Sequence, residues 1–165
     1  MKAVIYNSGS VGYLGLPYIG DKVRFIIEMS NDGTLRASDT EKVLIMGKRG
    51  TEDVNVHIPK FKQEFKTDLG KVVRSLGVNS IFNASNDFSN ISDATIAVSD
   101  IIHQAFIQVD EEGTEAAAAT VVMMRLLGIS PEMKFVADKP FHYHILDLEN
   151  ELVLFSGTVH EPHFK

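Results

Sequence analysis

The chain reads as an α+β protein, mostly antiparallel β-sheet with few short helices. Three observations predict this class. Apolar and β-branched residues recur in runs of strand length along the whole chain. Helical periodicity is confined to two short stretches, near 40–46 and 69–76. Strands follow one another in groups instead of alternating regularly with helices, which separates α+β from α/β.

Residues 1–6 form a short apolar strand, and Gly9 and Gly12 punctuate the turn after it. Residues 13–18 and 22–29 read as a hairpin around Ile19-Gly20-Asp21. Asn31-Asp32-Gly33 is a strong turn. Ser38-Asp39 caps a short helix through Lys42-Val43-Leu44-Ile45-Met46, ended by Gly47. Residues 53–66 read as one strand, with Val54, Val56 and Ile58 on one face. Thr67-Asp68 caps a second helix whose stripe is Leu69, Val72, Val73 and Leu76, and Gly77 ends it. Residues 83–93 are polar loop, and 94–109 read as one long β-branched strand. A loop runs to about Pro131, and strands are expected near 133–137, 141–147 and 151–159.

At 165 residues the expectation is a single domain, able to bury roughly 70% of its unfolded surface. A net charge of −6 gives a nucleic-acid role no electrostatic support. The chain has no cysteine, so a disulfide scaffold, a thiol nucleophile and a thiolate metal site are excluded. No apolar run approaches the roughly 18 residues of a membrane helix, and polar Asn7-Ser8 cuts short any signal-peptide reading of the first residues. Sequons at Asn83 and Asn90 are candidate glycosylation sites and lean the expectation toward secretion.

The most distinctive stretch lies at 109–120, an acidic, Gly-punctuated start followed by four alanines directly after a strand. Alanine is a poor strand former, but small side chains can enter a crowded sheet without clashes. Gly113 supplies a hinge there. Glu111-Glu112-Gly113-Thr114-Glu115-Ala116-Ala117-Ala118-Ala119-Thr120 resembles the hinge of a serpin reactive-centre loop. The resemblance continues through Ile58-Pro59-Lys60-Phe61-Lys62, residues 69–77, Ile81-Phe82, Asp87-Phe88-Ser89-Asn90-Ile91-Ser92 and Val98-Ser99-Asp100-Ile101-Ile102-His103-Gln104-Ala105. It ends in Phe135-Val136-Ala137-Asp138-Lys139-Pro140-Phe141 and Leu154-Phe155-Ser156-Gly157-Thr158-Val159-His160-Glu161-Pro162. Order and spacing agree from about residue 54 onward; before that, only Leu16-Pro17-Tyr18-Ile19-Gly20 and the following strand look familiar.

The resemblance implies a C-terminal serpin portion with parts of three sheets, lacking the N-terminal helices and the first strands of the central sheet. It implies a reactive loop at about 110–131 with its hinge at 112–120. In serpins the scissile bond usually follows the fifteenth residue counted from the hinge glycine, which here gives Leu127 and Gly128. Leucine suits a chymotrypsin-like specificity pocket. A shift of two residues gives Arg125 and Leu126, and a trypsin-like target. The implied function is a secreted serine-protease inhibitor, a suicide substrate whose cut loop inserts as a strand. The alternative is a truncated, non-inhibitory relative that binds a partner or is only a protease substrate. By the same resemblance His103 occupies a shutter-like position; a half-buried strand histidine is the plainer reading. The open edge of strand 94–109 is also an expected self-association site.

Nothing in the residues composes an enzyme. No nucleophile elbow is present, and Gly9 to Gly15 lacks the dinucleotide-loop spacing, with Pro17 blocking the helix it would need. His142 and His144 share a strand face, and His160 and His163 lie three apart, but no carboxylate pattern completes a metal site. No metal, cofactor, nucleic-acid or membrane partner is expected.

Overall fold

The computed structural model describes residues 1–83, 88–110 and 133–164. The chain divides into two compact units, Met1–Phe61 with Val109–Lys165, and Lys62–Gln108.

The first unit is built on strands β1 (Lys2–Asn7), β2 (Val11–Pro17), β3 (Val23–Ser30), β4 (Glu52–His57), β7 (Met133–Val136), β8 (Phe141–Asp147) and β9 (Leu152–Val159), with helix α1 (Thr40–Gly47) after β3. They form one run in the order β7-β4-β1-β2-β3-β8-β9. β1-β2-β3-β8-β9 is a continuous antiparallel body, whereas β4 and β7 are parallel. β4 joins that body through only two register pairs, Lys2 with Asp53 and Ala3 with Glu52.

The strands follow from alternation. On β3, Arg24, Ile26 and Glu28 share one face, and Phe25, Ile27 and Met29 the other. α1 covers the first face, where Tyr13, Ile26, Val43, Met46 and Leu146 form a buried cluster. On the other face Phe25 stacks on Tyr143 at 5.9 Å, and Phe61 meets Phe141 edge-on at 6.0 Å. Gly15 in β2 is closely packed: a Cβ there would lie 2.9 Å from Ile26 Cδ1 and 3.1 Å from Val4 Cβ.

α1 begins as the sequence predicts, with Asp39 accepting from the Lys42 amide. Its end is different. Gly47 is the last helical residue, not a left-handed cap, and its missing side chain lets the helix approach Leu146. The helix end is held instead by Arg24. Its guanidinium donates to the carbonyls of Gly47 and Arg49, both at 2.6 Å, and forks onto Asp21. The Gly47 carbonyl is among the orphan acceptors of the helix end, and the Arg49 carbonyl lies two residues beyond it.

The second unit holds all but the first residue of β5 (Phe61–Asp68), α2 (Gly70–Ser75), a 3₁₀ turn (Ser80–Phe82) and all but the last residue of β6 (Ile102–Val109). β5 and β6 form a two-stranded sheet. Three expectations are corrected here. The strand expected over 53–66 is two strands, broken at Ile58-Pro59-Lys60, since proline cannot donate to a ladder. The long strand expected over 94–109 is strand only from Ile102; residues 94–101 make no ladder, because β5 ends beside Ile101. The second helix starts at Gly70 without a side-chain cap from Thr67 or Asp68, which belong to β5. Asp68 instead accepts from the amides of Gly70 and Ile101. Val72 and Leu76 of the predicted apolar stripe are exposed. Gly77, at φ +93°, ends α2 as expected.

Candidate functional site

The hinge at Glu112, Gly113, Thr114, Glu115, Ala116, Ala117, Ala118, Ala119 and Thr120 lies outside the described residues, as do both candidate bonds, Leu127-Gly128 and Arg125-Leu126. The two flanks are described. β6 leads in and ends at Val109, and β7 leads out from Met133. β6 pairs with β5 on one side; among the described residues no strand pairs with its other edge. It alternates weakly, leaving Ile102 and Phe106 exposed. β7 is anchored by four parallel register pairs to β4, with Phe135 buried.

His103 is exposed on β6, with its ring 6.4 Å from that of Phe65. Asn83 and Asn90 are both exposed. The Asn83 amide donates to the Asn79 carbonyl at 3.2 Å.

Three of the four histidines weighed as metal ligands, His142, His144 and His163, meet other partners. His142 places Nε2 2.6 Å from the Arg36 carbonyl and Nδ1 2.8 Å from Thr158 Oγ1. His144 places Nε2 3.0 Å from Ser38 Oγ. His163 faces Glu161 at 3.6 Å on the open surface. Among the described residues no three metal-ligating side chains converge, and no helix is long and apolar enough to cross a membrane.

A buried polar cluster was not anticipated. Ser38 donates to Glu28 Oε2 at 2.5 Å, Tyr13 donates to Glu28 Oε1 at 3.1 Å, and His144 Nε2 lies 3.9 Å from Oε2. The side chains of His144 and Glu28 are 6% and 11% exposed. Burial pushes the Glu28 carboxyl up, but the neighbouring His144 imidazole at 3.9 Å and the hydrogen bonds from Ser38 and Tyr13 outweigh it, leaving it below the ordinary Glu range. Burial first, and Glu28 second, push the Tyr13 phenol above its ordinary value. Ser38 and His144 are 106 positions apart, so no local spacing announces the cluster.

Comparison with known proteins gives these strands a family. The family model described as serpin (serine protease inhibitor) matches residues 5–162. A serpin-like protein of Methanosarcina mazei is 39% identical over 98% of this chain and 41% of its own length. The leukocyte elastase inhibitor of Sus scrofa is 39% identical over 67% of this chain and 29% of its own. The native structure of tengpin, a thermophilic serpin, matches with a TM-score of 0.67 at 26% identity, covering 95% of this chain and 43% of that one. The chain thus spans less than half the length of these relatives. The α+β architecture of mostly antiparallel strands and few helices agrees with that likeness. With a match that runs over nearly its whole length, the chain belongs to the serpin family.

Proposed function

We propose that this chain supplies the reactive loop of a serpin-type serine-protease inhibitor, and that the loop at about 110–131 is cut after Leu127. The observation that carries this reading is the run of small residues from Thr114 to Thr120 in a chain matched by the family along nearly its whole length. A loop never required to enter a sheet has no need of such residues.

The chemistry belongs to the protease. Its serine attacks the Leu127 carbonyl and forms an acyl-enzyme. The hinge then enters the sheet as an added strand, a mode of strand addition for which serpins are a known instance. Strain released on insertion drags the acylated protease out of its active geometry. This chain performs no catalysis in the scheme. A chymotrypsin-like enzyme fits Leu127, and a trypsin-like one fits Arg125.

A second reading, a non-inhibitory chain that is merely cleaved or binds a partner, is favoured by β6, which pairs only with β5 among the described residues. Incubation with chymotrypsin and with trypsin, read by denaturing gel, separates the two. A covalent complex, lost in Thr114→Arg, is expected of an inhibitor; plain cleavage without a complex sinks inhibition and leaves the second reading. Intact mass of material from a secretory host reads glycans at Asn83 and Asn90, the support we offer for a secreted, glycosylated form; their absence removes it.

The edge of β6 that pairs with no other strand among the described residues, with exposed Ile102 and Phe106, is also proposed as a self-association surface. Sedimentation should show association rising with concentration and weakened by Phe106→Lys. A chain monomeric throughout would contradict it.

A further inference from the structure

We propose that residues 31–39 form an acid-released strap, latched over the sheet by His142, His144 and Glu28. None of residues 31–39 is buried, so apolar packing does little to hold the segment. Polar clips hold it instead. Lys139 Nζ donates to the Asn31 carbonyl at 2.7 Å. His142 and His144 project from one face of β8, two residues apart, and meet Arg36 and Ser38, two residues apart on the strap.

The proton positions follow from the partners. A carbonyl only accepts, so His142 Nε2 carries the hydrogen toward Arg36. Ser38 has one proton and gives it to the Glu28 carboxylate, so His144 Nε2 must donate to Ser38 Oγ. His144 Nδ1 is buried without a partner, consistent with that single tautomer. The chain His144 to Ser38 to Glu28 therefore runs in one direction and depends on an ionised Glu28 at its end. Between strap and sheet lies a cavity of about 230 Å³, with Leu35 and Arg36 on the strap side and Tyr13, Glu28 and Ser30 on the sheet side.

The charged and titratable groups around Glu28 are Tyr13 from β2, His142 and His144 from β8, Arg36 and Asp39 from the strap, and Lys42 from α1. The raised Tyr13 phenol remains a donor throughout the range of interest. Glu28 has a folded value below its ordinary one. Its contribution is therefore complete above the ordinary Glu value of about 4.3 and is lost as pH falls through the lower folded value. A protonated Glu28 offers one acceptor fewer, and the Ser38 clip loses its anchor. The strap then opens and the cavity with it.

The test is amide hydrogen exchange, expressed as protection over residues 33–39 after correction for intrinsic rates, on the whole chain from pH 7 to pH 3. In Glu28→Gln, protection there at pH 7 should fall about tenfold, the scale of one hydrogen bond to a charged group. Protection of β1 and β2 should be unchanged. The wild type should approach the variant below about pH 4. Ser38→Ala, which removes the clip without touching the sheet, should show the same local loss even where Glu28→Gln folds poorly. Equal protection in wild type and Ser38→Ala, or a loss spread evenly over β1 and β2, would overturn the strap.

Discussion

Gly157 on β9 lies opposite Tyr143 on β8, and a Cβ at that position would overlap the Tyr143 ring and hydroxyl. Tyr143 cannot simply move away, because it is buried and stacked on Phe25 at 5.9 Å. Gly157→Ala should therefore cost about 1–3 kcal/mol, the usual scale of overpacking. Urea unfolding measures it, and Tyr143→Leu in the same background should recover part of the loss. An unchanged midpoint would mean that this stack does not constrain β9. The same lesson applies to Glu28, Ser38 and His144. The sequence does not relate the three to one another, and their meeting depends on register across β3 and β8 and on where the chain returns before α1. Such contacts are non-local, and no spacing encodes them.

At the scale of elements, legibility followed the locality of the cause. β1, β2, β3, α1 and β7 to β9 were all expected near their observed places, because alternation, turn residues and the Asp39 cap act within a few residues. The failures arose where pairing decided. Residues 94–101 carry strand propensity but find no ladder, and the expected strand over 53–66 breaks at Pro59. Helix ends were also misread: Gly47 looked like a cap, while Arg24, 23 positions away, does the capping. Arg24→Met keeps the stem and removes the donors, leaving the Gly47 and Arg49 carbonyls without their guanidinium partner. The expected loss is about 1–3 kcal/mol, read by chemical denaturation. Arg24→Lys should recover little, since an ammonium cannot reproduce the fork. Full recovery by lysine would refute the capping role.

For the whole molecule, the strand groups agree with the family likeness. The resemblance implies parts of three sheets; among the described residues the strands form one seven-stranded run, in which β4 and β7 hang on two register pairs, and the β5–β6 sheet. The proposed reactive loop rests on motif and order alone, and residues 111–132 lie outside the described residues. The described strands on either side of it are β6, shorter than expected, and β7. The measurement that tests the central claim most directly is the first cut made by chymotrypsin, and separately by trypsin, located by the masses of the products. The account predicts cleavage between Leu127 and Gly128, or between Arg125 and Leu126 with trypsin, before any other bond. A first cut elsewhere, for example among the exposed residues of 94–101, with 113–131 left intact, would contradict it.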